Sequence, residues 1–239
     1  MRVYVGFDDT DVVDADRGTG KFARWFAKKL PEGVALYGVI RQQLPILEGI
    51  PYTSHNSSAC LILDCVDFSQ VQDIIDRGCA HIREHFMEGS DPGLCVAAVN
   101  GIPPISLLNF GRQASSRIVS QQEAMTAASA FHLSGHGGTN DGIIGATAGV
   151  GLTISGWSGR FIEFNGLRDV GQVVTVSELE ARGILVLSID RNAPATGQDD
   201  LVDTQGWLRP RLWAGTPVLP VTACGKGTWK SVGEKMAPR

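Results

Sequence analysis

Hydrophobic and polar positions alternate from the first residues, so Val3, Val5 and Phe7 share one face of a strand running from Arg2 to Phe7. Phe22, Trp25, Phe26 and Leu30 then recur at helical spacing, and Pro31-Glu32-Gly33 stops that run. A strand is expected over Val34 to Ile40. From Leu44 to Thr53, two prolines and a glycine interrupt any regular element and predict a loop. The apolar run Ala59 to Val66 predicts a buried strand. Ser69 is placed to cap a helix over Val71 to Met87, with Ile74, Ile75, Ile82 and Phe86 turned inward.

Asp91-Pro92-Gly93 reads as a turn before a strand from Leu94 to Val99. A helical stretch over Val119 to Leu133 leads into the glycine-rich run Gly135 to Gly142. The next residues, Ile143 to Gly151, are mostly small. Each glycine costs a free helix about 1 kcal/mol relative to alanine, so close packing has to compensate. From Gly159 onward the pattern turns β-rich, with strands expected over Arg160 to Phe164, Gln172 to Val176 and Ile184 to Ile189. Ala193 to Thr204 reads as a polar loop and the last dozen or so residues as a basic tail.

At 239 residues, 43% of them hydrophobic, the chain can bury a real core as one large domain or two ordinary ones. A net charge of −4 argues against the uniformly positive surface of a generic polyanion binder, while leaving room for a local basic groove. Cys60, Cys65, Cys79, Cys95 and Cys224 form no C-x-x-C pair and read as buried thiols of a reducing compartment. The chain opens on a strand instead of a signal-like segment. No stretch approaches the roughly 18 apolar residues of a membrane span, so a cytoplasmic location without membrane partners is expected.

The main chemical signal follows the first strand. Asp8-Asp9-Thr10-Asp11 crowds three carboxylates into four residues, and their repulsion calls for a cation. Magnesium suits an all-oxygen site that also touches phosphate. The plainer alternative is that the aspartates cap the next helix. Arg17-Gly18-Thr19-Gly20-Lys21 opens that helix and presents backbone N–H groups and a lysine to an anion, though its spacing is not that of a Walker loop.

Three landmarks give this pattern a family resemblance. Val5-Gly6-Phe7-Asp8-Asp9-Thr10-Asp11 resembles the start of the archaeal tRNA 2-agmatinylcytidine (agmatidine) synthetases. Asp91-Pro92-Gly93-Leu94-Cys95-Val96 is similar to that family's N-P-G-V-V-V turn and strand. Gly137 to Gly151 is similar to its G-x-x-G-x-(V/I)-G-A-x-A-A-(I/V)-G stretch. The resemblance implies an α/β (α+β) fold: a kinase-like segment with the acidic loop over residues 1–66, a ferredoxin-like region over 67–158, and a β-rich segment over 159–239. It also implies ATP and Mg2+ as cofactors. The family's phosphorylated threonine falls at Lys21, and its P-x-K-T-R-G-N-A loop becomes Pro51 to Ala59 without the lysine or arginine. There is no four-cysteine zinc ribbon, so the chain reads as a reduced relative for which tRNA modification is disfavoured.

The resulting expectation is an ATP- and Mg2+-dependent phosphotransferase or ligase-like enzyme that activates an oxygen of a small or nucleoside-like substrate. Asp8, Asp9 and Asp11 would be the catalytic and metal-holding residues. Thr10, Gly18, Thr19, Gly20 and Lys21 would cradle phosphate, and Tyr52, Thr53, Ser54, His55 and Asn56 would face the substrate. The rival readings are a non-catalytic nucleotide- or metabolite-binding module and an RNA-associated accessory protein. The oligomeric state stays open, a homodimer included.

Four lesser candidates stand outside this scheme. His132 and His136, and likewise His81 and His85, have i, i+4 spacing. The first pair is interrupted by Gly135, and the second reads as a solvated helix face without an evident third ligand. Arg112 and Arg117 flank Ser115-Ser116 and read as a solvated loop or an anion patch. Lys226, Lys230 and Lys235 make the tail basic.

Overall fold

The structure is a computed structural model and describes residues 1–50, 55–192 and 195–233. It is a mixed α/β protein, with twelve strands and six α-helices among the described residues. These divide into two compact units, Met1–Gly159 and Arg160–Arg239.

The first unit is built on an antiparallel sheet. Its strands are β1 (Arg2–Asp8), β2 (Ala35–Gln43), β3 (Ser57–Asp64), β4 (Gly93–Val99) and β5 (His132–Gly135), in the order β5-β4-β1-β3-β2. β1 lies at the centre, as its alternation requires, and Val3, Val5 and Phe7 are fully buried. On their side of the sheet lie α1 (Thr19–Phe26) and α2 (Gln70–Glu84). Phe7 meets Phe22 and Phe26 edge-on, with ring centroids 5.1 and 5.2 Å apart. The opposite face carries α5 (Gly142–Ile154), with α3 (Ile105–Ala114) and α4 (Gln121–Ala127) packed beyond it.

The small-sided segment becomes the most buried helix of the unit. Every residue of α5 except Ile144 is buried. Gly6 of β1 shows why small residues are needed, since a Cβ there would overlap the Ala146 carbonyl. Backbone thus rests on backbone, and the dispersion gained by close approach offsets the poor helix propensity.

Several elements depart from the pattern reading. α3 was not anticipated, because its start follows Pro103-Pro104. Pro104 takes the extended N-cap position, which leaves the proline outside the helix interior. The expected helix over Val119 to Leu133 stops at Ala127, and His132 to Gly135 pair with β4 instead. On α2, Ile74 and Ile82 face inward as expected, but Phe86 is 46% exposed and His81 takes the inner position. Ser69 stands at the N-cap, yet its hydroxyl donates to Asp67. Cys60, Cys65 and Cys95 are buried free thiols, Cys79 is half-buried, and Cys224 is exposed, contrary to its expected burial.

The second unit holds β6 (Arg160–Glu163), β7 (Val173–Thr175), α6 (Val176–Ala181), β8 (Leu185–Ser188), β9 (Leu201–Asp203), β10 (Arg211–Trp213), β11 (Thr216–Gly225) and β12 (Thr228–Ser231). Its strands run in the order β6-β10-β11-β12-β9-β7, with β8 parallel to β11. The β-rich expectation therefore holds. The end of the polar segment is more ordered than its composition suggests, because Leu201–Asp203 forms β9, which pairs with β12 and β7. α6 was missed although Thr175 and Glu178 form a full capping box at its start. No helix among the described residues is long and apolar enough to cross a membrane.

Candidate functional site

β1 delivers the acidic loop. The two-residue period that turns Phe7 toward α1 turns Asp8 the other way, onto the face shared by Gly6 and α5, opposite Gly93 of β4. There the Asp8 carboxylate lies against Gly145, where any Cβ would overlap it. Burial raises its pKa to about 8, and the charges of Asp9 and Asp11 add to the effect, while the Asp9 backbone N–H opposes it. Asp9 leaves the strand with φ +49°, a left-handed conformation that aspartate tolerates better than bulkier residues. Its pKa is raised to about 6 by burial and then by Asp91, Asp11 and Asp141.

Asp91 and Asp141 were not among the anticipated site residues. Asp91 precedes β4 and accepts from the Thr139 N–H (2.9 and 3.0 Å) and the Thr139 hydroxyl (2.6 Å). Asp141 is the N-cap of α5 and accepts from Gln121 Nε2 at 2.6 Å. Each falls inside a segment of family resemblance, and that was the available signal. Separations of about eighty residues and more hide their convergence on Asp9 from any local pattern.

Asp11 does what the plainer reading expected. Its Oδ1 accepts from the Thr19 N–H and the Thr19 hydroxyl, both at 3.1 Å, and so holds the first turn of α1. The buried Thr10 hydroxyl donates to Thr19 Oγ1 at 3.2 Å. Arg17 is only 6% exposed. It donates to the Thr10 carbonyl at 2.8 Å and to the His85 carbonyl, with its guanidinium 5.1 Å from the Phe22 ring. Gly18 is the exposed, extended N-cap, and Gly20 lies half-buried in the first turn. The structure thus brings together Asp8, Asp9, Thr10, Asp11, Gly18, Thr19 and Gly20. Lys21 leans back along the helix, with Nζ 5.2 Å from the Trp25 ring.

Of the expected substrate residues, Tyr52, Thr53 and Ser54 lie outside the described residues. His55 is exposed. Asn56 has a structural part: its side chain donates to the Pro45 carbonyl at 2.7 Å, and its own carbonyl accepts from the Leu44 N–H at 2.8 Å.

The donor set fits a hard divalent cation. All groups near Asp8 and Asp9 that raise their pKa by charge are carboxylates, and partial burial of Asp8 and Asp9 reduces the water that would otherwise screen them. Bringing a cation there would release the repulsion and displace the proton that Asp8 holds at neutral pH.

The remaining candidates resolve differently. His132 and His136 are not a helical pair; they are joined through Ser134, with His132 Nε2 2.9 Å and His136 Nε2 2.8 Å from its Oγ. Arg117 pairs with Glu123 at 2.6 Å, which offsets its charge beside Arg112. Lys230 is exposed on β12, and Lys235 lies outside the described residues. His81 and His85 do have a third potential ligand, Glu84, contrary to the sequence reading.

No family model matches the sequence, and no curated protein gives a match. Solved structures do. A tRNA fluorescent labelling enzyme is similar at 26% identity and a TM-score of 0.53, over 63% of this chain and 36% of that one. Apo TiaS, the tRNAIle2 agmatidine synthetase, is similar at 26% identity and a TM-score of 0.51, over 63% and 35%. The complex of TiaS with tRNAIle2 and ATP gives 25% identity and a TM-score of 0.53, over 63% and 36%. The match therefore spans little more than a third of the length of these relatives.

Proposed function

We propose, from the premise that this chain is a partial relative of the tRNAIle2 agmatidine synthetase TiaS, that it is an ATP- and Mg2+-dependent phosphotransferase or ligase-like enzyme. The reaction would activate an oxygen of a small or nucleoside-like substrate. One observation carries this reading: Asp8 and Asp9 sit half-buried next to each other, with pKa values raised to about 8 and about 6, in an arrangement that a divalent cation stabilises.

In this reading Asp8 and Asp9 hold the cation, which supplies charge neutralisation to the phosphates when bound. Asp11 fixes the first turn of α1 through Thr19 and thereby sets the direction of the helix N-terminus, where the Gly20 N–H is placed for an anion while the Lys21 N–H closes the turn on the Gly18 carbonyl. Arg17 holds the loop between Thr10 and the end of α2, so the carboxylates are positioned before any ligand arrives. Such a site works by positioning and charge complementarity, not by a covalent step on the protein.

The test is magnesium-dependent binding of a non-hydrolysable ATP analogue by Asp8→Asn and Asp11→Asn. Loss of binding in Asp8→Asn supports the reading; unchanged affinity in both variants overturns it. A second reading has its own support. Lys21 stands where the family has its threonine and leans on Trp25, which favours a nucleotide-binding module without turnover. ATP bound stoichiometrically but left intact on prolonged incubation would select that alternative. The partners of the relatives include tRNA and agmatine. Here tRNA is the less favoured substrate, since the chain carries a net charge of −4.

A further inference from the structure

Alongside α1, and separated from the acidic loop by Arg17, three potential ligands meet at the end of α2. His81, Glu84 and His85 stand at i, i+3 and i+4, so one helix face presents all three. An imidazole nitrogen from each histidine and a carboxylate oxygen of Glu84 lie within 4.8 Å of one another. His85 is half-exposed and Glu84 is exposed, which leaves a path from solvent.

His81 supplies an independent observation. It is 1% exposed, and its ring is surrounded by Phe22, Phe26 and Phe7. Its Nε2 lies 3.1 Å from the Phe22 carbonyl, which can only accept, so Nε2 carries the hydrogen. Nδ1 is then an unprotonated lone pair, and it is buried without a hydrogen-bond partner. An imidazole whose N–H is fixed by a backbone carbonyl while the other nitrogen goes unused is the arrangement found behind metal-bound histidines.

We propose that His81 Nδ1, Glu84 and His85 form a zinc-type transition-metal site, completed by water, at the end of α2. Two imidazoles and one carboxylate favour Zn2+ over Mg2+, which separates this site from the all-oxygen acidic loop. Glu84 Oε2 pairs with Lys29 at 2.6 Å, while Oε1 lies 3.7 Å from His85 Nε2 and is the oxygen available to an ion. Lys29 and Arg17 place positive charge nearby, so the site should bind zinc more weakly than a closed structural zinc centre. The proposal is independent of the ATP-dependent function.

The experiment is calorimetric titration of the EDTA-stripped full chain with Zn2+ in excess Mg2+, together with Co2+ absorption spectra. One ion per chain is expected. Glu84→Gln and His85→Ala should each weaken binding roughly tenfold or more. Both residues reach solvent, so these variants should fold, as circular dichroism will check. Asp8→Asn should bind zinc as the unaltered chain does. Absence of zinc uptake, or uptake undiminished in His85→Ala, overturns the proposal. The latter result would place the ion elsewhere, for instance at Cys79 and His136, which stand 3.8 Å apart.

Discussion

The carboxylate of Asp8 and the α-carbon of Gly145 are in direct contact, so the end of the central strand and the first turn of the buried helix share one small space. The absence of a side chain at residue 145 is what lets the carboxylate sit there. Gly145→Ala places a methyl group where the carboxylate now lies, and overpacking of this kind costs about 1 to 3 kcal/mol. The expected outcome is a lowered Tm together with loss of magnesium-dependent nucleotide binding. Ala148→Gly, one turn further along the helix, should lower the Tm and leave binding intact, because it does not displace Asp8.

A second prediction concerns stability in the absence of metal. The pKa of Asp8 is raised in the folded protein to about 8, against 3.8 for the free group. The native state therefore binds the proton more tightly than the unfolded state. This stabilisation is fully present below about pH 4 and is lost as pH rises toward 8. In EDTA the Tm should fall between pH 5 and pH 8, and Asp8→Asn should flatten much of that fall. At pH 8 the variant should melt higher by about 3 °C or more. Thermal melts across that range decide the point, and a variant less stable than the unaltered chain at pH 8 would count against the burial described for Asp8.

Magnesium reverses the sign of the same effect. A cation that binds the Asp8 carboxylate must displace its proton, so apparent affinity should rise as pH increases from 6 to 8 and level off above that. Asp9, whose pKa is raised to about 6, contributes the lower part of the curve. Titration in buffers of different ionisation enthalpy should detect proton release near neutral pH. Flat affinity over this interval would show that Asp8 is not a ligand.

How much of this could be read from the chain depends on how far apart the cooperating residues lie. The alternation of Val3, Val5 and Phe7 places Asp8 by itself, because a strand's period is local. The small residues of α5 announce close packing, but not what they pack against. Asp91 and Asp141 reach Asp9 only through the pairing of β1 with β4 and the docking of α5 on the same sheet. His81 was misread for a related reason. Its polar neighbours Arg83 and Glu84 suggest a wet face, whereas the aromatic side chains of α1 supply a cover that the sequence of α2 does not contain.

Arg17 offers the sharpest separation between holding the loop and merely filling space. Its guanidinium satisfies two carbonyls that belong to different parts of the chain, Thr10 in the acidic loop and His85 at the end of α2, while its face packs on Phe22. Hydrogen bonds from a charged donor in a buried setting are worth about 1.5 to 3 kcal/mol each when removed without replacement. Arg17→Met keeps most of the packing and removes both bonds, so it should lower stability by a few kcal/mol and weaken nucleotide binding as the loop loses its anchor. Arg17→Lys should not restore it, because one ammonium cannot span the two acceptors as the planar fork does. Chemical denaturation alongside nucleotide titration separates the alternatives. If Arg17→Lys binds nucleotide as tightly as the unaltered chain, the bridge between the loop and α2 is dispensable and preorganisation must come from Asp11 and Thr19 alone.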